Sequence, residues 1–125
     1  MLFDTDVVIW VFRGNAAAAR AIQAESDRRI SVISYMELLQ GARGKEESSA
    51  IKRFLEDLGF EVLPLTENIG HRASIYIEEY ALSSGMCVAD ALIAATAAEN
   101  GLRLCTGDKK HYAKVKDLDI KQFRP

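Results

Sequence analysis

The chain has 125 residues, 49% apolar and 27% charged, with a formal net charge of −2 and a pI near 5.7. This length and balance suit one soluble globular domain, residues 1–125, with a sizeable core and no need of disulfides. The acidic pI argues against a protein that grips nucleic acid by electrostatics alone. The apolar run at 7–12 is far too short to span a bilayer, so a cytoplasmic location without membrane contact is expected.

Residues 1–3 read as a short buried strand ending at Asp4. Residues 5–12 fit helix or strand equally, because Val7 to Val11 are apolar all round. Gly14-Asn15 breaks that run, and alanine-rich 16–26 is helical in propensity. Residues 30–33 read as a second strand. Ser34 and Glu37 then have capping-box spacing, which predicts a helix over 35–42. The amphipathic stretch 46–58 is a helix that Gly59 stops.

A third strand is expected at 61–65 and a long helix over 67–83. Gly85 marks a turn, and 88–99 is a helix of small residues. Strands at 102–105 and 118–122 complete the pattern. Strands alternating with helices predict a three-layer α/β/α sandwich around a parallel sheet of four to five strands. The two cysteines, Cys87 and Cys105, are not at zinc-ligand spacing and read as reduced and mostly buried.

Four acids recur where an apolar segment yields to a helix start: Asp4, Glu37, Asp90 and Asp108. In a parallel α/β fold, ligands bind beyond the carboxyl ends of the strands, where strand order reverses. All four acids map to that edge. Each also has a local explanation, as an N-cap at Asp4, a capping box at Glu37, a helix-dipole partner at Asp90 and turn chemistry at Asp108. Local explanations leave their shared edge unaccounted for. Converging carboxylates repel, whereas hard cations such as Mg²⁺ and Mn²⁺ require oxygen donors.

The remaining charge is uneven, with a net of +4 over residues 109–125. Arg13, Arg43 and Lys45 are candidates for the rim of the site. His111 is a candidate phosphate contact, and His71 reads as a solvated side chain.

The segments around these acids resemble the motifs of PIN-domain nucleases. Leu2-Phe3-Asp4-Thr5-Asp6-Val7-Val8-Ile9 is similar to the first motif and Tyr35-Met36-Glu37-Leu38-Leu39-Gln40-Gly41 to the second. Residues 88–97 around Asp90 and Thr106-Gly107-Asp108 resemble the third and fourth. A chain this short looks most like a VapC-type toxin of a toxin–antitoxin pair.

The resemblance implies a Mg²⁺- or Mn²⁺-dependent endoribonuclease, a cognate antitoxin seated in the active-site groove, and a homodimer. It implies Asp4 and Asp90 as principal metal ligands, with Glu37 and Asp108 completing the catalytic set. Thr5, Asp6 and Thr106 would orient a ligand or contact phosphate. Asp6 stands where the family more often has Asn, which adds a charge near the site.

Two other readings compete. Asp4-Thr5-Asp6-Val7-Val8 also fits the opening of haloacid-dehalogenase-like phosphatases, with Asp4 as nucleophile, but that reading leaves Glu37 unexplained. A non-catalytic module holding RNA or protein through 109–125 is the other.

Overall fold

The computed structural model describes residues 1–125. In chain order it runs β1 (Leu2–Phe3), α1 (Thr5–Phe12), α2 (Ala16–Gln23), β2 (Arg29–Ser31), α3 (Val32–Gln40), α4 (Lys45–Asp57) and β3 (Glu61–Leu63). It continues with α5 (Glu67–Ser84), α6 (Val88–Glu99), β4 (Leu104–Thr106), α7 (Lys109–Tyr112) and β5 (Ile120–Gln122). The five strands form one parallel sheet in the order β3-β2-β1-β4-β5.

Strand alternation divides the core into two halves. Leu2 and Leu104 are paired in register and face one side, where Ile69, Ala73 and Tyr76 of α5 pack with Ala91, Ala94, Ala95 and Ala97 of α6. Phe3 and Cys105 face the other side, against Val7 and Val8 of α1, Ala18 and Ile22 of α2, and Ile51 and Leu55 of α4. The layers are therefore helices, sheet, helices, as the strand–helix alternation predicts. The four α6 alanines have no exposed surface, so α6 lies close to the structure around it.

Two local expectations change. The ambiguous segment 5–12 is helical: Asp4 caps it by accepting the Thr5 N–H at 2.8 Å, and Val7 and Val8 bury on one side. The second strand ends at Ser31 rather than Ile33. The Ser31 hydroxyl accepts the Ile33 N–H at 3.0 Å and starts α3 there, so the Ser34–Glu37 capping box does not form. Ser34 is instead fully buried within the helix.

The first half of the chain builds outward from β1 to β3. Helices α5 and α6 then return it to the other flank of β1, where β4 pairs. The order thus reverses between β1 and β4, and the crevice at their carboxyl ends is the favoured ligand position of such sheets. Far from this edge, Arg72 of α5 bridges Glu99 of α6 at 2.5 Å and also contacts Asp117, which accepts the Tyr76 hydroxyl at 3.0 Å. No helix is long and apolar enough to cross a membrane.

Candidate metal centre

Asp4 follows β1 and Thr106 ends β4, so the Leu2–Leu104 and Phe3–Cys105 register carries them to the same edge. Thr106 Oγ1 donates to Asp4 Oδ2 at 2.7 Å, while Asp4 Oδ1 takes the Thr5 N–H. The carboxyl is only 7% exposed. Burial is the largest influence on it and the charge of Asp6 the next; against the lowering bonds from Thr106 and Thr5, and with a further rise from Asp90, its pKa is pushed up to about 7. A cation is the natural counterweight for a buried carboxyl surrounded by other acids.

Glu37 reaches the same edge through α1. Thr5 Oγ1 donates to Glu37 Oε1 at 2.7 Å and lies 2.9 Å from Ser34 Oγ. A hydroxyl has one proton, so Thr5 gives it to the carboxylate and accepts from Ser34. Glu37 is thus held across 32 residues of sequence rather than by its own helix start. Its carboxylate opens onto a groove of about 490 Å³, whose lining includes Ile9, Phe12, Arg13, Arg43 and Glu47. Arg13 and Arg43 line this groove beside Glu37, and Lys45 does not.

Asp90 sits in the first turn of α6. Its Oδ2 accepts the Cys87 N–H at 3.2 Å and the thiol at 3.1 Å, and its Oδ1 accepts the Tyr112 hydroxyl at 3.3 Å. Cys105 is buried as expected, but Cys87 is exposed because it caps α6 at the surface. Burial nevertheless raises the Cys87 thiol, which keeps it a protonated donor. Asp108 caps α7 through the His111 N–H at 3.3 Å, and its other oxygen contacts His111 Nδ1. His111 Nδ1 is also 3.7 Å from Asp90 Oδ2. One donor atom from each of Asp90, Asp108 and His111 lies within 4.8 Å of the others.

Asp6 is pushed above its ordinary value, chiefly by burial. Its Oδ2 accepts the Gly107 N–H at 2.9 Å, whereas its Oδ1 is buried without any partner. A Cβ at Gly107 would stand 2.7 Å from Asp6 Oδ2, so only glycine admits this approach. An orphaned carboxylate oxygen, a glycine-lined cradle and a set of hard oxygen donors fit a divalent cation and its waters.

The structure thus brings Asp4, Thr5, Asp6, Glu37, Asp90, Thr106 and Asp108 to one edge. Three further participants escaped the sequence reading: Ser34, Cys87 and Tyr112. The fully buried Tyr112 phenol donates to Asp90, and its pKa is raised first by burial and then by the charges of Asp4, Asp90 and Asp108. Only Tyr112 carried a sequence signal, as an aromatic following the fourth acidic motif.

A family model described as the PIN domain matches residues 1–118. No curated protein matches the chain significantly. Among solved structures, a chain of a toxin–antitoxin complex from Klebsiella pneumoniae is 29% identical, with a TM-score of 0.80 and coverage of 94% of this chain and 93% of that one. A chain of VapBC2 from Rickettsia felis, bound to a promoter DNA fragment, superposes with a TM-score of 0.85 at 18% identity, covering 98% of each. A chain of VapBC-1 from nontypeable Haemophilus influenzae gives a TM-score of 0.81 at 22% identity, covering 97% of this chain and 96% of that one. The match over residues 1–118 shows that this chain belongs to the PIN-domain family, whose members are generally nucleases.

Proposed function

We propose that the protein is a Mg²⁺- or Mn²⁺-dependent endoribonuclease and the toxin of a type II toxin–antitoxin pair. The observation that carries this reading is that Thr106 binds both Asp4 and the Asp108 backbone at the strand-order reversal, that Tyr112 beside them binds Asp90, and that Glu37 is tied to the same edge through Thr5. It also draws support from the likeness to chains of toxin–antitoxin complexes.

Asp4 and Asp90 would hold the cation, with Glu37 and Asp108 completing the acidic set directly or through water. When bound, the cation polarises the phosphodiester and makes an attacking water more acidic. The protein's own groups aim that chemistry. Thr106 holds Asp4, Thr5 holds Glu37, and Tyr112 together with Cys87 holds Asp90, so each carboxylate meets substrate in a set orientation. Arg13 and Arg43 supply positive charge along the groove beside Glu37, where a phosphate backbone can lie. Asp6 holds the Gly107 backbone close to the edge.

The cognate antitoxin would occupy the groove at Glu37 and block RNA entry, and the toxin would act as a homodimer. The test is cleavage of total cellular RNA by purified protein with Mg²⁺ or Mn²⁺. Cleavage should vanish with chelator, in Asp4→Asn and in Asp90→Asn, while both variants stay folded. Undiminished cleavage by either variant would refute the assignment. Light scattering reads the dimer, and co-expression with the product of a neighbouring small reading frame reads the antitoxin.

A further inference from the structure

His111 is the one nitrogen donor at the acidic edge. Asp108 already caps α7 through one oxygen, so the contact of its other oxygen with the His111 ring is additional to helix capping. The ring is set by its surroundings. Tyr112, next in sequence, is fully buried, and the far ring edge lies against Gly85, where a Cβ would stand 3.7 Å from Nε2. This directs Nδ1 at Asp108 and Asp90, the latter 3.7 Å away.

Octahedral shells with bonds near 2.1 Å place neighbouring donors about 3 Å apart and opposite donors about 4 Å apart. The spread of the Asp90, Asp108 and His111 donors, within 4.8 Å, is what one ion can draw together. The Cys87 thiol also touches Asp90, but soft sulfur is a poor match for Mg²⁺ or Mn²⁺.

We propose that His111 Nδ1 is a ligand of the divalent cation beside Asp90 and Asp108, and that this mixed nitrogen–oxygen set favours first-row transition ions over Mg²⁺. The inference rests on the reading that the edge binds a cation. Its chemistry is that affinity for nitrogen-bearing sites rises along the first-row ions from Mn²⁺ upward, whereas Mg²⁺ demands near-ideal octahedral geometry and sheds water reluctantly. Mn²⁺ is therefore the most stringent ion with which to look for the difference.

The chain has two histidines, which makes a spectroscopic test decisive. Untagged full-length protein is loaded with Mn²⁺ and examined by electron spin-echo modulation. The directly bound ¹⁴N signal of imidazole is expected in the wild type and in His71→Gln, and is expected to disappear in His111→Gln. In calorimetry, His111→Gln should bind Mn²⁺ about tenfold or more weakly, with less than about a threefold change for Mg²⁺.

Mn²⁺ uptake by the wild type without a nitrogen signal would overturn the role of His111 and leave the acidic site standing. Equal losses for Mn²⁺ and Mg²⁺ would overturn the proposed preference. No uptake at all would overturn the cation reading itself. If His111→Gln does not fold, the wild type and His71→Gln spectra still decide, since a signal surviving in the latter belongs to His111.

Discussion

Thr106 donates its hydroxyl proton to Asp4 across 102 positions of sequence, at 2.7 Å, and the same oxygen accepts the Asp108 N–H at 3.0 Å. One threonine at the end of β4 thus orients an acid from β1 and the backbone of the fourth acidic motif. Thr106→Val should leave Asp4 Oδ2 and the Asp108 N–H without partners, at a stability cost of roughly 1–3 kcal/mol. It should weaken Mn²⁺ binding by about tenfold or more, while Thr106→Ser retains both properties. Calorimetry and urea unfolding check this; unchanged Mn²⁺ affinity in Thr106→Val would show that the hydroxyl does not position Asp4.

Metal-free protein should show a pH dependence traceable to Asp4. Burial, with the charges of Asp6 and Asp90, holds the folded pKa near 7, above the ordinary 3.8. The neutral acid is thus favoured in the folded state. The stability it contributes is full below 3.8 and is lost as pH rises through about 7. Asp4→Asn does not titrate and should escape that loss. Urea midpoints measured in chelator at about pH 4.5, 6 and 7.5 test the difference across this window. Parallel curves for the two proteins would rule out the assignment to Asp4.

Gly107 lets the Asp6 carboxylate approach the loop closely. A methyl group there would sit 2.7 Å from Asp6 Oδ2, which is bound to the Gly107 N–H at 2.9 Å. Gly107→Ala should cost roughly 1–3 kcal/mol by forcing the loop and Asp6 apart. Cleavage should fall by about tenfold or more, because neighbouring Asp108 moves with the loop. Melting and cleavage assays read the two effects, and a variant with native stability and rate would contradict the close approach.

The Arg72 network offers a control remote from the acids. Arg72 ties α5 to Glu99 of α6 and to Asp117 before β5, but it is about one-third exposed, so solvent screens its charge. Arg72→Met should destabilise by roughly 1–2 kcal/mol. The cleavage rate per folded molecule should stay within about twofold of wild type, as expected of separated sites. A large loss of rate at full folding would tie this cluster to the active edge.

Asp4, Asp90 and Asp108 were legible in the sequence because each follows a strand or opens a helix, and strand–helix alternation sends such positions to one edge of a parallel sheet; Glu37 lies more than one turn inside α3 and stood out by its motif. The partners that hold these acids were not legible. Glu37 at three residues from Ser34 looks like a capping box, yet Ser31 starts the helix and Glu37 binds Thr5 of another helix. Local spacing describes contacts within a segment, and this contact joins two segments. Tyr112 was illegible as an Asp90 partner for the same reason, its place being set by how α7 packs on α6. Cys87 meets Asp90 locally, in a capping box at the start of α6, where a thiol is an unusual cap.

What the sequence by itself determined was the layered α/β architecture and a set of candidate acids, both properties of periodicity and short motifs; the helical state of 5–12 and the short helix α7 were not among them. Only the tertiary structure decided how those acids are held and which neighbours they have: Thr106 on Asp4, Thr5 on Glu37, His111 against Asp108 and Asp90. Hydrogen bonds of this kind depend on positions set to within an ångström by strand register and helix packing. Such positions emerge only when the whole chain is closed around its two-sided core.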